Sequence, residues 1–223
     1  MVNPVVLLDV EDELFKECFG HDSQWPCQLL SLTSEENSTD EISKVLKSSS
    51  CVVIQNIGGP SWNAIIDYYK SGGLVVYFGI VGEFSAPQDL SQAFGLNWHF
   101  SAYTRHDYVL TEAGKAILGD AITEQEYSKA NLLSVPEEDR LLVPKNYYET
   151  LDDYIKEEGD SDNERESMQK KYDELTEQLG NEVPLALHKA DHGGQMAYLG
   201  FVNGDGNISK FVRALCTRSK TAA

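Results

Sequence analysis

Short apolar runs alternate with segments of helical periodicity in the first third of the chain. Between the runs, apolar residues recur three or four positions apart, which is typical of helices with one buried face, at 12–19, 38–47 and 60–69. The runs themselves are almost uninterrupted, as in strands that are buried on both faces: 5–8, 27–32, 51–54 and 74–78. Strands and helices in this order predict a parallel sheet with helices on both faces, joined by right-handed crossovers.

The pattern changes after residue 99. Residues 100–110 alternate in polarity and are rich in aromatic side chains, which predicts an extended strand, and 112–118 suits a short helix. The segment 132–143, interrupted by a polar Pro-Glu-Glu-Asp turn, predicts a hairpin. The remaining segments suit two amphipathic helices, a hairpin and a last helix, in this order: 147–155, 168–179, 184–202 and 208–215.

Length and pattern together predict a single domain over residues 1–223. Its expected fold class is α/β, with a flavodoxin-like parallel sheet, helices on both faces, an acidic helical insertion at 147–180 and a C-terminal hairpin. Ligands of such sheets bind beyond the carboxyl ends of the strands. The loops at 9–12, 55–59 and 79–85 are therefore the first places to expect a site.

Negative charge dominates the composition. Thirty-six acidic residues against eighteen basic ones leave a net charge of -18. Nucleic acid and anionic membrane surfaces are therefore not expected as partners, because both would be repelled. Residues 149–182 hold thirteen acids and four bases, which is half of the net charge. This stretch is either a solvated face or a docking surface for a basic protein partner.

Several features bear on compartment and cofactors. The four cysteines show no metal-binding spacing. No apolar run reaches the roughly 20 residues that span a bilayer, and residues 1–9 lack the basic start of a signal peptide. We therefore expect a cytoplasmic chain with reduced thiols and no cofactor. His188 and His192 have the spacing of a metal-binding pair on a helix, but the residues around them suit a turn, so no metal site is expected.

Three pieces of sequence carry a family resemblance. Residues 69–79, YKSGGLVVYFG, resemble the helix, double glycine and strand that lead into the central loop of class I glutamine amidotransferase-like domains, a group that includes the ThuA-like proteins. Residues 94–98 and 102–106, FGLNW and AYTRH, are similar to a signature of its largely fungal members. The tail at 197–206, AYLGFVNGDG, resembles their closing strand and turn. The resemblance implies an α/β fold of the same kind.

The chain departs from that family where catalysis would take place. Amidotransferases carry a nucleophilic cysteine on a strained turn between strand and helix, where the helix N-terminus lowers its pKa and supplies oxyanion donors. The corresponding residues here, 79–85, read GIVGEFS and contain no cysteine. The partner His-x-Glu pair of the family is also absent from its expected later position. Glutaminase activity is therefore not expected.

Two polar residues of that turn are candidates for other chemistry. Ser85 would act as a nucleophile if His106 came within hydrogen-bonding reach as its base. Alternatively, Ser85 caps the helix that begins near Pro87. For Glu83 there are three alternatives: an acid/base group, a group that contacts a ligand, or an exposed carboxylate without a functional role.

Trp98, Tyr103 and Arg105 form the candidate ligand-binding cluster. On an extended strand, Tyr103 and Arg105 lie on one face and His106 on the other. The forked donors of Arg105 suit a carboxylate or phosphate, against which Tyr103 would stack. The alternative is a surface arginine beside a tyrosine that packs into the protein.

These residues leave several functions open. The first is an amidotransferase-like protein without catalysis, which binds a small anionic metabolite near Glu83, Tyr103 and Arg105, or a basic protein at the acidic stretch. The second is a cysteine-independent hydrolase or lyase that uses Glu83, Ser85 and His106 in the same pocket. Self-association into a homo-oligomer through the apolar faces of the two late helices is a further alternative.

Overall fold

The computed structural model describes residues 5–8, 27–30, 39–55, 62–79, 86–119, 124–145, 155, 165–201 and 207–218. The helix expected at 12–19 lies outside these residues, and so does the helix expected at 147–155, except for Ile155. Within the described part, the chain has a mixed α/β architecture.

Five strands lie side by side and run parallel to one another. They are β1 (Val5–Leu8), β2 (Cys27–Leu30), β3 (Cys51–Ile54), β4 (Leu74–Phe78) and β10 (Gln195–Leu199). Their order in the sheet is β2-β1-β3-β4-β10. Every residue of β3 and β4 is buried, because helices cover both faces. Burial on both faces explains why the sequences of these strands are almost continuously apolar.

Helices pack on both faces of the sheet. One face is covered by α1 (Thr39–Ser48), α2 (Trp62–Lys70) and α3 (Ala86–Phe94), and the other by α4 (Glu112–Leu118) and α6 (Asn207–Arg218). A further helix, α5 (Arg165–Asn181), lies against the antiparallel part of the sheet. None of the described helices combines the length and apolar character needed to cross a bilayer.

The rest of the sheet is antiparallel. Its strands are β5 (His99–Leu110), β6 (Glu124–Ser134), β7 (Arg140–Pro144), β8 (Glu182–Val183) and β9 (Leu185–Lys189). Strand β5 pairs with β6 along one edge and with β7 along the other, so the hairpin expected over 132–143 is wrong. The connection between β6 and β7 contains a 3-10 turn at Glu137–Asp139, and it carries the chain across β5 instead of folding it back.

These antiparallel strands close into a ring. Strand β6 pairs with β8, which continues through Pro184 into β9, and β9 pairs with β7. Because β6 and β7 both flank β5, the ring is complete. Strand β9 also forms an antiparallel hairpin with β10. The turn of this hairpin contains Gly193, whose φ of 87° favours glycine. Strand β10 thereby joins the ring to the parallel strands.

Cys51, which is buried at the start of β3, is disulfide-bonded. The expectation that all the thiols are reduced is therefore wrong. Pairing of cysteines depends on which strands and helices the fold brings together, and no local spacing in the sequence reports it.

Replacing Cys51 with serine is expected to lower the free energy of unfolding by about 2 kcal/mol, because the unfolded chain loses a cross-link. Urea unfolding of the oxidised wild type and of Cys51→Ser measures this. Thiol titration of the denatured wild type without reductant is the control. Four reactive thiols per chain would contradict the disulfide.

Candidate functional site

The carboxyl ends of the parallel strands form one edge of the sheet, where β4 contacts β10 and β10 contacts β6. The Gly79 N–H donates to the Leu199 carbonyl, and the Asn131 N–H donates to the Gly200 carbonyl, both at 2.8 Å. A Cβ on Gly200 would lie 2.0 Å from the Asn131 carbonyl oxygen, so glycine is needed for the two backbones to come this close. This is the edge at which ligands bind in parallel α/β sheets.

Tyr198 supports this edge from within the core. Its hydroxyl donates to the Asn131 carbonyl at 3.1 Å, and its ring stacks on Tyr77 with the centroids 6.1 Å apart. Burial, with a smaller contribution from Tyr77, raises the pKa of Tyr198 far above its usual value. The hydroxyl therefore stays protonated and keeps donating, which fixes the position of β6 against β10.

Asn131 leaves one polar atom at this edge without a partner. Its side chain is 4% exposed, and its Oδ1 is buried and accepts no hydrogen bond within the described part of the chain. Leaving a buried acceptor unsatisfied costs about 1–3 kcal/mol, so such an atom calls for an explanation. One explanation is that Oδ1 accepts a hydrogen bond from a ligand that carries a hydroxyl or N–H donor.

Tyr103 and Arg105 lie on the solvent face of β5. Exposure alternates along 99–105, as expected for a strand, and Tyr103 is 42% exposed. Pairing with β6 sets Asn131 opposite Tyr103 and Lys129 opposite Arg105. The Cβ atoms of directly opposed residues lie about 5 Å apart. The pairing therefore gathers an aromatic ring, two cations and an amide, and we call these four residues the β5–β6 face.

His106 lies on the other face of β5. It is half-buried, and its ring centroid is 6.3 Å from that of Tyr108. Burial, and secondarily the charge of Glu182, raises the pKa of Tyr108 well above its usual value. Glu83 and Ser85, with which His106 was grouped in the hydrolase hypothesis, lie outside the described residues.

Trp98 is fully buried and does not share a surface with Tyr103 and Arg105. Its assignment to the ligand-binding cluster is therefore corrected. The reason is that its indole N–H donates to Asp139 Oδ2 at 2.8 Å, which holds the ring inside the protein. The tryptophan of the Phe-Gly-Leu-Asn-Trp sequence is therefore a core residue in this structure.

A cluster that the sequence did not reveal surrounds Asp139. This residue is 3% exposed, and its carboxylate oxygens both lie 3.2 Å from His188 Nδ1, in addition to the bond from Trp98. His188 pairs across the hairpin with Met196, which pairs with Val75 near the start of β4. The cluster thus lies at the amino end of the parallel strands, opposite to the end where ligands were expected.

The Asp139 contacts determine the tautomer of His188. A carboxylate can only accept hydrogen bonds, so the hydrogen of this contact is on His188 Nδ1, and in the neutral imidazole Nε2 then carries the lone pair. Nearby, the Tyr69 ring contacts His192 edge-on, with the centroids 4.8 Å apart. Burial, and then the negative charge of Asp139, raises the pKa of Tyr69. Among the described side chains, no group of three His, Cys, Asp or Glu is placed to hold a metal.

Comparison with known proteins gives likenesses of structure only. No family model and no curated protein matches the chain. The fold is similar to that of a β-galactosidase from Bacillus circulans sp. alkalophilus, with a TM-score of 0.57 and 9% identity, over 98% of this chain and 31% of that one. It is also similar to a ThuA-like protein from Parabacteroides merdae ATCC 43184, with a TM-score of 0.55 and 9% identity, over 100% and 90% of the two chains.

A second ThuA-like protein, from Bacteroides uniformis ATCC 8492, aligns with a TM-score of 0.46 and 11% identity, over 98% of this chain and 89% of that one. The α/β fold thus has a ThuA-like protein among its structural neighbours. The chain spans about a third of the β-galactosidase that it matches, 31% of its length. At 9% identity, these likenesses show the fold alone.

Proposed function

We propose that this chain is an amidotransferase-like binding protein that holds a small anion on the β5–β6 face. The observation that carries the proposal is the pairing of Arg105 with Lys129 across the two strands. A carboxylate or phosphate bound between these two side chains would interact favourably with both.

The charge of the whole chain makes this pair unusual. Thirty-six acidic residues give a net charge of -18, so a small anion is repelled from most of the surface. Arg105 and Lys129 bring two basic side chains to neighbouring positions, and a small anion bound there would contact both. The guanidinium of Arg105 also offers two parallel donors to one carboxylate or phosphate, which adds orientation to attraction.

Tyr103 and Asn131 extend the proposed site. The ring of Tyr103, 42% exposed, offers a flat surface on which a ligand stacks. Asn131, which pairs with Tyr103, has a buried Oδ1 with no described partner, and this atom would accept from a hydroxyl or amine of a ligand that reaches it. A small anion that also carries a hydrogen-bond donor fits this set of groups.

The sheet topology also supports a ligand at this end of the molecule. The order β2-β1-β3-β4-β10 supports a flavodoxin-like arrangement, in which ligands would bind at the carboxyl ends of the strands. Gly79 and Gly200 lie at those ends, and the Asn131 N–H of β6 donates to the Gly200 carbonyl.

The other partners suggested by the sequence have less support. A basic protein would bind the acidic stretch, but its described helix α5 carries four acids and three bases, so that helix is nearly neutral. The hydrolase hypothesis requires Ser85 near His106, and nothing in the described residues favours it. Self-association through the late helices draws little support from α5, whose Met168 and Leu179 are buried within the chain itself.

A thermal-shift screen with a library of small carboxylates and phosphates tests the proposal. At a hundredfold excess over its Kd, a ligand stabilises the protein by about 2.7 kcal/mol, which corresponds to roughly 8 °C for a chain of this size. We expect Arg105→Gln and Lys129→Gln each to remove most of this shift. The matched control is Lys115→Gln, since Lys115 is an exposed lysine on α4 that pairs with Glu112.

Two results would contradict the proposal. One is a stabilising anion whose shift is the same in wild type, Arg105→Gln and Lys129→Gln. The other is the absence of any stabilising anion while all four proteins are folded by circular dichroism.

A further inference from the structure

His188 combines a fixed orientation with an accessible ring nitrogen. Its Nδ1 donates to Asp139, whose side chain is 4% exposed, while the His188 side chain itself is 30% exposed. Within the described part of the chain, Nε2 accepts no hydrogen bond and is not among the buried unpartnered atoms. In the neutral imidazole, the lone pair of Nε2 therefore faces solvent.

Asp139 is held in place independently of His188. Trp98, which is fully buried, donates its indole N–H to Oδ2, and the Asp139 backbone N–H donates to the Pro136 carbonyl at 3.1 Å. A histidine whose Nδ1–H bonds to a fixed carboxylate, with Nε2 open, has the arrangement of a general base. The histidine of a solvated surface lacks the fixed tautomer and the fixed ring plane.

The geometry points to a second site, at the amino end of the parallel strands, in which His188 is a general base for the hydrolysis of small uncharged esters. Nε2 takes a proton from water as the water oxygen bonds to the ester carbonyl carbon. When the bond between that carbon and the alcohol oxygen breaks, the same proton passes from Nε2 to the leaving alkoxide. The products are a carboxylic acid and an alcohol, and Nε2 regains its lone pair.

The class of substrate follows from charge and from the groups at hand. Water serves as the nucleophile, so this site requires no nucleophilic side chain. Anionic esters are disfavoured, because the net charge of -18 repels anions. Asp139 is a positioning residue, since it acts only through His188.

This site is independent of the proposed anion site. His188 pairs with Met196 near the start of β10, whereas Asn131 contacts Gly200 just beyond its end. Four residues of extended strand separate Met196 from Gly200, a distance of about 13 Å. A substitution that abolishes ester hydrolysis at His188 should therefore leave anion binding intact, and the two proposals can be tested separately.

Initial rates of p-nitrophenyl acetate hydrolysis test the role of His188. General bases contribute about a hundredfold or more, so we expect His188→Gln to lower the rate by about a hundredfold. The matched control is His192→Gln, which also removes one imidazole from the same hairpin and should stay within about twofold of wild type. A His188→Gln rate equal to that of His192→Gln would overturn the proposal.

The positioning role of Asp139 has its own readout. In Asp139→Asn, the amide still accepts from Trp98 but donates to His188 Nδ1, so the imidazole tautomer reverses and Nε2 becomes a donor. We expect the ester rate to fall as far as in His188→Gln, while ¹⁵N NMR of the ring shows the reversed tautomer. A reversed tautomer with the wild-type rate would overturn the positioning role, and so would an unchanged tautomer.

Discussion

Replacing Asp139 with alanine is expected to lower the free energy of unfolding by about 4 kcal/mol, as for removal of one partner from other buried, hydrogen-bonded charged groups. The carboxylate is 3% exposed and accepts from both Trp98 and His188. Without it, the indole N–H of Trp98 stays in the core with no acceptor, and a small cavity is left behind. Urea unfolding followed by tryptophan fluorescence measures the change.

The neighbouring Glu138 provides the control for this substitution. It lies in the same 3-10 turn but is exposed, so Glu138→Ala should change the free energy of unfolding by less than about 0.5 kcal/mol. Asp139→Asn should fall between the two, because it keeps an acceptor for Trp98. Equal unfolding midpoints for Asp139→Ala and Glu138→Ala would contradict the buried network.

Gly200→Ala is expected to destabilise the protein by about 3 kcal/mol, at the upper end of typical overpacking effects. The new Cβ would lie 2.0 Å from the Asn131 carbonyl oxygen and 2.8 Å from the Tyr198 ring. The carbonyl belongs to a strand and cannot turn away like a flexible side chain. Relief of the clash would lengthen the hydrogen bonds by which Gly200 joins β6 and Pro184. Thermal unfolding of the purified variant measures the loss.

The matched control for Gly200 is Gly180, near the end of α5. A Cβ there meets no atom within 4 Å, so Gly180→Ala should stabilise the helix by about 0.5–1 kcal/mol. If Gly200→Ala instead unfolds at the same temperature as wild type, β6 does not approach β10 as closely as described. The carboxyl edge would then be more open than the account requires.

Four of the five parallel strands, β1 to β4, could be predicted because their signals are local. Strands β3 and β4 are buried on both faces, and a continuous apolar run such as 74–78 reports that burial directly. The helical face of α2, with Ile65 and Tyr69 buried, follows from spacing within a single helix. The antiparallel ring depends on pairings between distant segments. The predicted hairpin over 132–143 was wrong because the alternation of apolar residues does not indicate which strand is the partner.

In the candidate sites too, features set by local sequence could be predicted and features set by distant contacts could not. Alternation along β5 was enough to place Tyr103 and Arg105 on one face. No pattern within β5 indicated that Lys129 and Asn131 would stand opposite them. Asp139 belonged to a polar interruption that suited an exposed turn, and its partners lie 41 and 49 positions away. A buried carboxylate has no local signature, because its burial depends on segments that approach only in the folded chain.

The most direct test of the anion site is an NMR titration of ¹⁵N-labelled protein with inorganic phosphate and, separately, with acetate. We expect saturable shifts of the Arg105 side-chain and Lys129 backbone signals with at least one of the two anions. We also expect these shifts to be absent in the Arg105→Gln, Lys129→Gln double variant. Signals of the β5–β6 face that stay unmoved with both anions, while shifts occur elsewhere or nowhere, would contradict the central claim.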